Sequence, residues 1–175
     1  QINGKDTMIR KDDFTNQIGT GYNQTDLLEK ISYKVSDNFL LTLNTQYSTS
    51  SNVPRYDQLT DVNDNDILKW SEWYYGPQTR FLGSLSAKIK TTNKWFDKVE
   101  VLTHYQKIDE DRISRKFGED NRTTREEDVN VYGLNIDFIK ENNNNSQWYY
   151  GLETIHNNVV SSAFSQNIIT KKNTI

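Results

Sequence analysis

The sequence predicts an all-β chain of antiparallel, up-and-down strands that cross a membrane as a segment of a β-barrel. Three observations lead there. Six stretches of about ten residues, the length that spans a bilayer on a tilt, alternate apolar and polar side chains. The connections between them are short at one end and long at the other. The composition is polar, 34% hydrophobic, yet 12% aromatic over 175 residues. That is too aromatic for a disordered chain, and it suits a barrel whose lumen and loops are wet and whose outer face alone is apolar.

Residues 1–24 read as a polar loop with Gly4, Gly19 and Gly21, with a strand tip expected at 14–18. The first strand covers 25–35, with Leu27, Ile31, Tyr33 and Val35 on one face and Leu28, Lys30, Ser32 and Lys34 on the other, the period of two of a half-buried strand. Ser36-Asp37-Asn38 is a turn by composition, since these side chains satisfy turn backbone locally. The second strand, 39–49, sets Phe39, Leu41, Leu43, Thr45 and Tyr47 against Leu40, Thr42, Asn44, Gln46 and Ser48. A long aromatic loop is expected over 50–78 and holds both prolines of the chain, Pro54 and Pro77. Strands follow at 80–90 (Phe81, Gly83, Leu85, Ala87, Ile89 on one face) and 98–108 (Val99, Val101, Thr103, Tyr105). A long, highly charged loop is expected over 109–127. The fifth strand is 128–139, with Tyr132, Leu134, Ile136 and Phe138 alternating; a turn at 141–146 leads to a sixth over 148–160. Short connections at 36–38, 91–97 and 141–146 against long ones at 50–78 and 109–127 match short periplasmic turns and long external loops. Trp73-Tyr74-Tyr75-Gly76 and Trp148-Tyr149-Tyr150-Gly151 are echoes of one another, placed for aromatic girdles at the two rims.

The net charge of −3 and the lack of a basic stripe argue against nucleic acid as a partner. Without cysteine there is no disulfide framework or thiolate metal site, and no apolar run reaches the roughly 18 residues of a helical span. Gln1 opens within a polar loop and Ile175 follows Lys171-Lys172-Asn173 without a closing motif, so the chain is expected to be a fragment of a longer protein.

The wording of Gln46-Tyr47-Ser48-Thr49-Ser50-Ser51, of Pro54-Arg55-Tyr56-Asp57 and of Glu72-Trp73-Tyr74-Tyr75-Gly76-Pro77-Gln78 resembles the TonB-dependent outer-membrane receptors of the Bacteroidota type. Asn130-Val131-Tyr132-Gly133-Leu134-Asn135 and Tyr150-Gly151-Leu152-Glu153 are similar to that family's barrel strands. The resemblance implies that residues 1–175 belong to a barrel domain of about 22 strands, here without its plug or its C-terminal strands. It implies a nutrient-uptake receptor in the cell outer membrane of a Gram-negative bacterium. That receptor binds a scarce ligand (an iron chelate, haem, cobalamin or a glycan) and meets the TonB complex through the plug. Outer-membrane lipid and lipopolysaccharide are its surroundings. No cofactor and no enzymatic activity are implied.

Ligand contact is expected in the aromatic loop, at Arg55, Tyr56, Trp73, Tyr74, Tyr75 and Arg80. Flat rings and guanidinium groups suit a chelate, a corrin, a peptide or a glycan; the competing reading is that these residues only shape the rim. No catalytic residues are expected: no Ser–His–Asp order, phosphate loop or HExxH is present, and His104 and His156 lack convergent partners. Asp61-Val62-Asn63-Asp64-Asn65-Asp66 alternates oxygen donors as a calcium loop does, but lacks the turn glycine and distal glutamate; a solvated loop is the expectation, and no metal site is assigned. The mixed charges of 109–127 (Arg112, Arg115, Lys116, Arg122 and Arg125 among seven carboxylates) read as a solvated surface that could also meet lipopolysaccharide phosphates. The alternative to the barrel is a soluble or surface-tethered β-sandwich that binds glycans through exposed Trp and Tyr.

Overall fold

The structure is a computed structural model that describes residues 1–10, 12–13, 15–142 and 146–174. Alternation over each stretch produces strands, and the strands form a single antiparallel sheet. In chain order these are β1 (Gln24–Ser36), β2 (Phe39–Ser50), the short β3 (Val53–Pro54), one helical turn α1 (Tyr56–Leu59), β4 (Trp70–Lys90), β5 (Lys98–Lys116), β6 (Asn121–Glu141), β7 (Gln147–Asn167) and the short β8 (Asn173–Thr174). The order across the sheet is β1-β2-β4-β5-β6-β7-β8, with β3 beside β4. Each long strand pairs with its sequence neighbour, so the topology is up-and-down, and the sheet is not closed into a barrel.

The register joins the apolar faces into one. Tyr47 lies opposite Leu27 and Phe81, Leu43 opposite Ile31 and Leu85, Tyr105 between Gly83 and Tyr132, and Ile136 between Val101 and Leu152. A slip of one residue on any strand would turn its whole set over. The other face is polar and laced by hydrogen bonds: Ser86 Oγ donates to Glu100 Oε1 at 2.8 Å, Ser48 Oγ to Asp26 at 2.6 Å, and Arg80 Nη2 to Gln106 Oε1 at 2.7 Å. Leu28, Leu40, Leu82, Leu102, Val131 and Ile155 alternate onto that polar face as exceptions. His104 lies over Gly133, where a Cβ would run into the imidazole; the ring covers the gap a strand glycine leaves.

Among the described residues nothing covers the apolar face. Leu27 and Leu152 remain 63% and 64% exposed, and the buried hydrophobic core among the described residues is Ile113 alone. Among those residues no second sheet lies over either face. Both edges are open: every position of β1 is exposed, and β8 pairs with β7 only at Ser165 and Gln166.

The sheet differs from the expected layout at its far end. The stretch 109–127 is not a loop. Strands β5 and β6 run straight through it, paired from Asp109↔Asp128 to Arg115↔Arg122, and turn within 117–120, where Gly118 has φ +75°. Thr123, Thr124 and Ile113 supply β propensity there. Lys107 Nζ lies 3.3 Å from both Asp109 and Asp128, relieving that like-charged pair. The loop expected over 50–78 is likewise shorter: β4 starts at Trp70, and β7 continues to Asn167. The contrast of short and long loops therefore becomes a contrast in strand extension. At 21 residues, β4 is about 70 Å long at ~3.3 Å per residue, far more than a bilayer needs. Of the strand tip expected at 14–18, Phe14 lies outside the described residues and 15–18 are not extended in a strand. Of the 141–146 turn, 143–145 lie outside them too.

A bulge between Tyr75 and Gln78 divides β4 into two parts. Gly76 makes it possible, with φ +100° and a backbone so close that a Cβ would sit 3.0 Å from the Ser51 carbonyl. Only glycine takes that conformation without strain. We expect Gly76→Ala to cost about 1–3 kcal/mol, measured as a fall in the denaturation midpoint of the purified chain; an unchanged midpoint would show that the bulge relaxes freely.

Candidate functional site

Beyond the bulge the sheet carries a cluster of stacked rings and cations. Pairing of Val53 with Tyr75 and of Pro54 with Tyr74 brings the connection after β2 onto β4, and Arg55 N donates to the Trp73 carbonyl at 3.0 Å. The Arg55 guanidinium then lies 5.0 Å from the Trp73 ring centre and 5.6 Å from that of Tyr75. The two rings meet edge to face at 5.1 Å. Arg55 is fully engaged: Nε and Nη2 hold Asp57 at 2.8 and 2.5 Å, and Nη1 donates to the Tyr75 hydroxyl at 3.1 Å. That fork holds the Asp57 carboxyl well below its usual range. A second cation, Arg112, lies over Tyr75 at 5.4 Å from its ring centre, directly opposite Tyr75 in the β4–β5 register.

Of the six expected contact residues, the structure brings together Arg55, Trp73 and Tyr75. Tyr74 alternates away from its neighbours, opposite Ile113, where burial raises its hydroxyl pKa against the pull of Arg122. Tyr56 opens α1, and its carbonyl accepts from Thr60 Oγ1 at 3.0 Å; its ring joins none of the stacks. Arg80 lies on the other side of the bulge from these residues, on a hydrogen bond to Gln106. The sequence places Arg112 among the solvated charges of 109–127, not beside Tyr75, because it reads that stretch as a loop; the signal for a strand was Ile113 and Thr123-Thr124 flanking a Gly118 turn. Asp57 stood inside the Pro54–Asp57 wording but was not assigned the role of orienting Arg55.

The three stretches that carry the family resemblance form one unit in space. Arg55 stacks on Trp73 and Tyr75, Gly76 packs on Ser51, and Ser50 Oγ accepts from Gln78 N at 3.3 Å. Beside the stack is a cleft of about 390 Å³ lined by Tyr22, Ser50, Tyr75, Gln78, Glu110 and Arg112 among others.

The apolar face carries two aromatic rows. One runs across the strands through Phe81, Tyr105, Tyr132 and His156, with ring centres 6.4, 5.1 and 6.4 Å apart, and Tyr47 extends it beside Phe81. The other joins Phe96, Phe138 and Tyr150 at 5.0 and 5.1 Å, with Trp148 opposite Lys140 next to it; the Tyr150 hydroxyl donates to the Trp95 carbonyl at 2.8 Å. The Trp148–Tyr150 stretch sits where a rim girdle was expected. Trp73 and Tyr75 do not, because the bulge flips them onto the polar face, and Tyr47, Phe81, Tyr105 and Tyr132 form the row on the apolar face, several residues nearer the middle of the sheet.

The charged end is held by a buried lock. Asp6 accepts from Arg115 Nη1 and Nη2 at 2.8 and 2.9 Å, from Ser71 Oγ at 2.6 Å and from Gly118 N at 2.8 Å. Arg115 Nε reaches Glu72 at 2.9 Å, and its guanidinium also donates to the Glu119 carbonyl. Arg115 is 3% exposed, so this is not the solvated arginine the charged stretch predicted. Its guanidinium holds the Asp6 carboxyl far below the usual range, and Asp6 in turn raises the Arg115 pKa.

In the 61–66 loop, Asp61 pairs with Lys69 at 2.9 Å, and Asn63 Oδ1 accepts from the backbone of Asn65 and Ile67. Among the described residues no group of three or more His, Asp or Glu side chains is arranged to hold a metal ion. No helix is long and apolar enough to cross a membrane, which says nothing of strands. Comparison with protein-family models, curated proteins and solved structures finds no match for this chain.

Proposed function

We propose that this chain is a segment of a transmembrane β-barrel in the cell outer membrane, from a TonB-dependent receptor that takes up a scarce ligand such as an iron chelate, haem, cobalamin or a glycan. The observation that carries the membrane part is the uncovered apolar face framed by two aromatic rows. From Tyr47 to Phe39 that band is eight residue steps, about 26 Å along the strand at ~3.3 Å per residue. Tilted by about 40°, it stands about 20 Å high between the rows, close to the apolar height of outer-membrane barrels. Lys107, Asn130 and Asn158 follow at one end and the Lys140–Asp97 pair at the other, where headgroups take over. The two open edges support further strands on either side, because long unpaired edges are a liability in water and intolerable in lipid. The receptor part rests on the resemblance alone, and the spatial union of its three stretches supports it.

The test uses the full chain with Trp70 and Trp73 changed to Phe, so that emission comes from Trp95 and Trp148. In vesicles carrying bromine on the upper acyl carbons, we expect strong quenching of that emission, and weaker quenching when the bromine sits near the chain ends. A chain that remains a soluble monomer without detergent and is not quenched would sink the membrane reading and return the glycan-binding alternative.

A further inference from the structure

We propose that Arg112 is an anion-binding residue that receives a carboxylate attached to a flat aromatic body, in the cleft beside Tyr75. The inference rests on the receptor reading for its purpose, but its chemistry comes from the side chains.

Consider how each arginine of the far end uses its donors. Arg55 serves Asp57 and the Tyr75 hydroxyl. Arg115 serves Asp6, Glu72 and the Glu119 carbonyl. Arg122 lies 3.8 Å from Glu72 and donates to Gln166. Arg125 is exposed, so water serves it. Arg112 differs from all four. It is partly buried, its Nε is shut off from solvent with no hydrogen-bond partner, and among the described residues no carboxylate lies within ion-pair distance of it. A buried donor left unmade costs about 1–3 kcal/mol, so the guanidinium is held at a cost, and only its Nε is enclosed while Arg112 lines the open cleft.

The surroundings define the complement. The guanidinium lies over the Tyr75 ring at 5.4 Å, which restrains where it can sit. A planar fork so held matches a carboxylate in two parallel bonds. The cleft of about 390 Å³ adds Tyr22 and Val53 to its lining beside Tyr75. Glu110 is turned to Gln78, whose Nε2 donates to it at 2.7 Å, and it disfavours a second negative charge beside the first. The cleft therefore takes one anionic group with an aromatic body, in preference to a polyanion.

The test follows the Arg112 Nε–H resonance in the ¹⁵N-labelled full chain in detergent, titrated with benzoate, with its uncharged analogue benzamide, and with inorganic phosphate. We expect benzoate to shift that resonance and to bind at least about tenfold more tightly than benzamide, the ratio of one charge-assisted contact. Arg112→Lys, which keeps the charge and loses the fork, should weaken benzoate about tenfold, and Arg125→Gln should leave it unchanged. Equal binding of benzamide overturns the role of charge. Phosphate binding as tightly as benzoate overturns the aromatic part. No shift with any probe overturns the site. The comparison of benzoate with benzamide on the unaltered chain needs no variant to fold. Bromolipid quenching of the chain with Trp70 and Trp73 changed to Phe, in vesicles, separates the two claims: quenching there without benzoate binding to the unaltered chain ends this proposal and leaves the membrane reading standing, and benzoate binding without quenching does the reverse.

Discussion

Arg115→Met should release the N-terminal segment and cost about 3–5 kcal/mol, the loss typical of removing one partner from a buried pair. Arg115 and Asp6 are 2% and 5% exposed at their side chains, and the substitution leaves the buried Asp6 carboxylate without a cation and Glu72 with only Arg122, 3.8 Å away. Limited trypsin digestion reads the release, because Lys5 and Arg10 flank Asp6 and become cleavable when the segment undocks. Asp6→Asn should cost less, as Arg115 keeps Glu72. In the double variant the two costs should fall short of their sum, which is the signature of direct coupling. Full additivity would show that the segment is held by something else. The pH dependence has a definite sign. Arg115 first, then Ser71 and Gly118, hold the Asp6 carboxyl below its unfolded value, which is about 3.9. The stabilisation is therefore complete above about pH 4 and declines as the pH falls through the lower, folded value. Trypsin-like release at neutral pH with unaltered Asp6 would contradict this.

That lock explains why the far end of the sheet was hidden in the sequence. In the near half of each strand, alternation of Leu, Ile, Val and Phe with Ser, Asn and Lys announces both the strand and the face it offers, and the register found between β2, β4, β5, β6 and β7 follows from matching those faces. Beyond Tyr105 and Tyr132 the alternation persists, but it alternates charge with charge. Asp109-Glu110-Asp111-Arg112 carries no apolar signal, so composition argues for a loop, whereas the strand is held by backbone pairing, by Lys107 between two aspartates and by a carboxylate from more than a hundred residues away. A contact of that separation leaves no local trace. The Arg112 site was hidden for the same reason in sharper form. Its stacking on Tyr75 exists only because a bulge at Gly76 shifts the outer half of β4 by one residue, turning Trp73 and Tyr75 to the polar face. The sequence shows a Gly-Pro pair there, a sign of irregularity, but the direction of the flip depends on the pairing with β5.

Leu85→Arg should cost about 2–4 kcal/mol if the apolar face meets lipid, while Ser84→Arg, one residue away, should change little. Leu85 lies between Leu43 and Thr103 in the register, midway between the two aromatic rows, and Ser84 lies between Asn44 and His104 on the polar face. A charged side chain at the midplane of a barrel's outer face carries that penalty, whereas the same charge on a wet face is tolerated. The comparison is powerful because exposure alone predicts the opposite. Leu85 is 45% exposed in the isolated sheet, so if water were its solvent, arginine there would be a surface change worth about half a kcal/mol or less in either direction. Equilibrium unfolding of the full chain from phospholipid vesicles measures both variants against the parent. A large cost at Leu85 with none at Ser84 makes lipid the solvent of the apolar face. Small costs at both would mean that the face stays wet, and equal large costs would mean that both faces are packed, as between the layers of a sandwich. The alternation read in the sequence therefore becomes a statement about solvent that two adjacent residues decide.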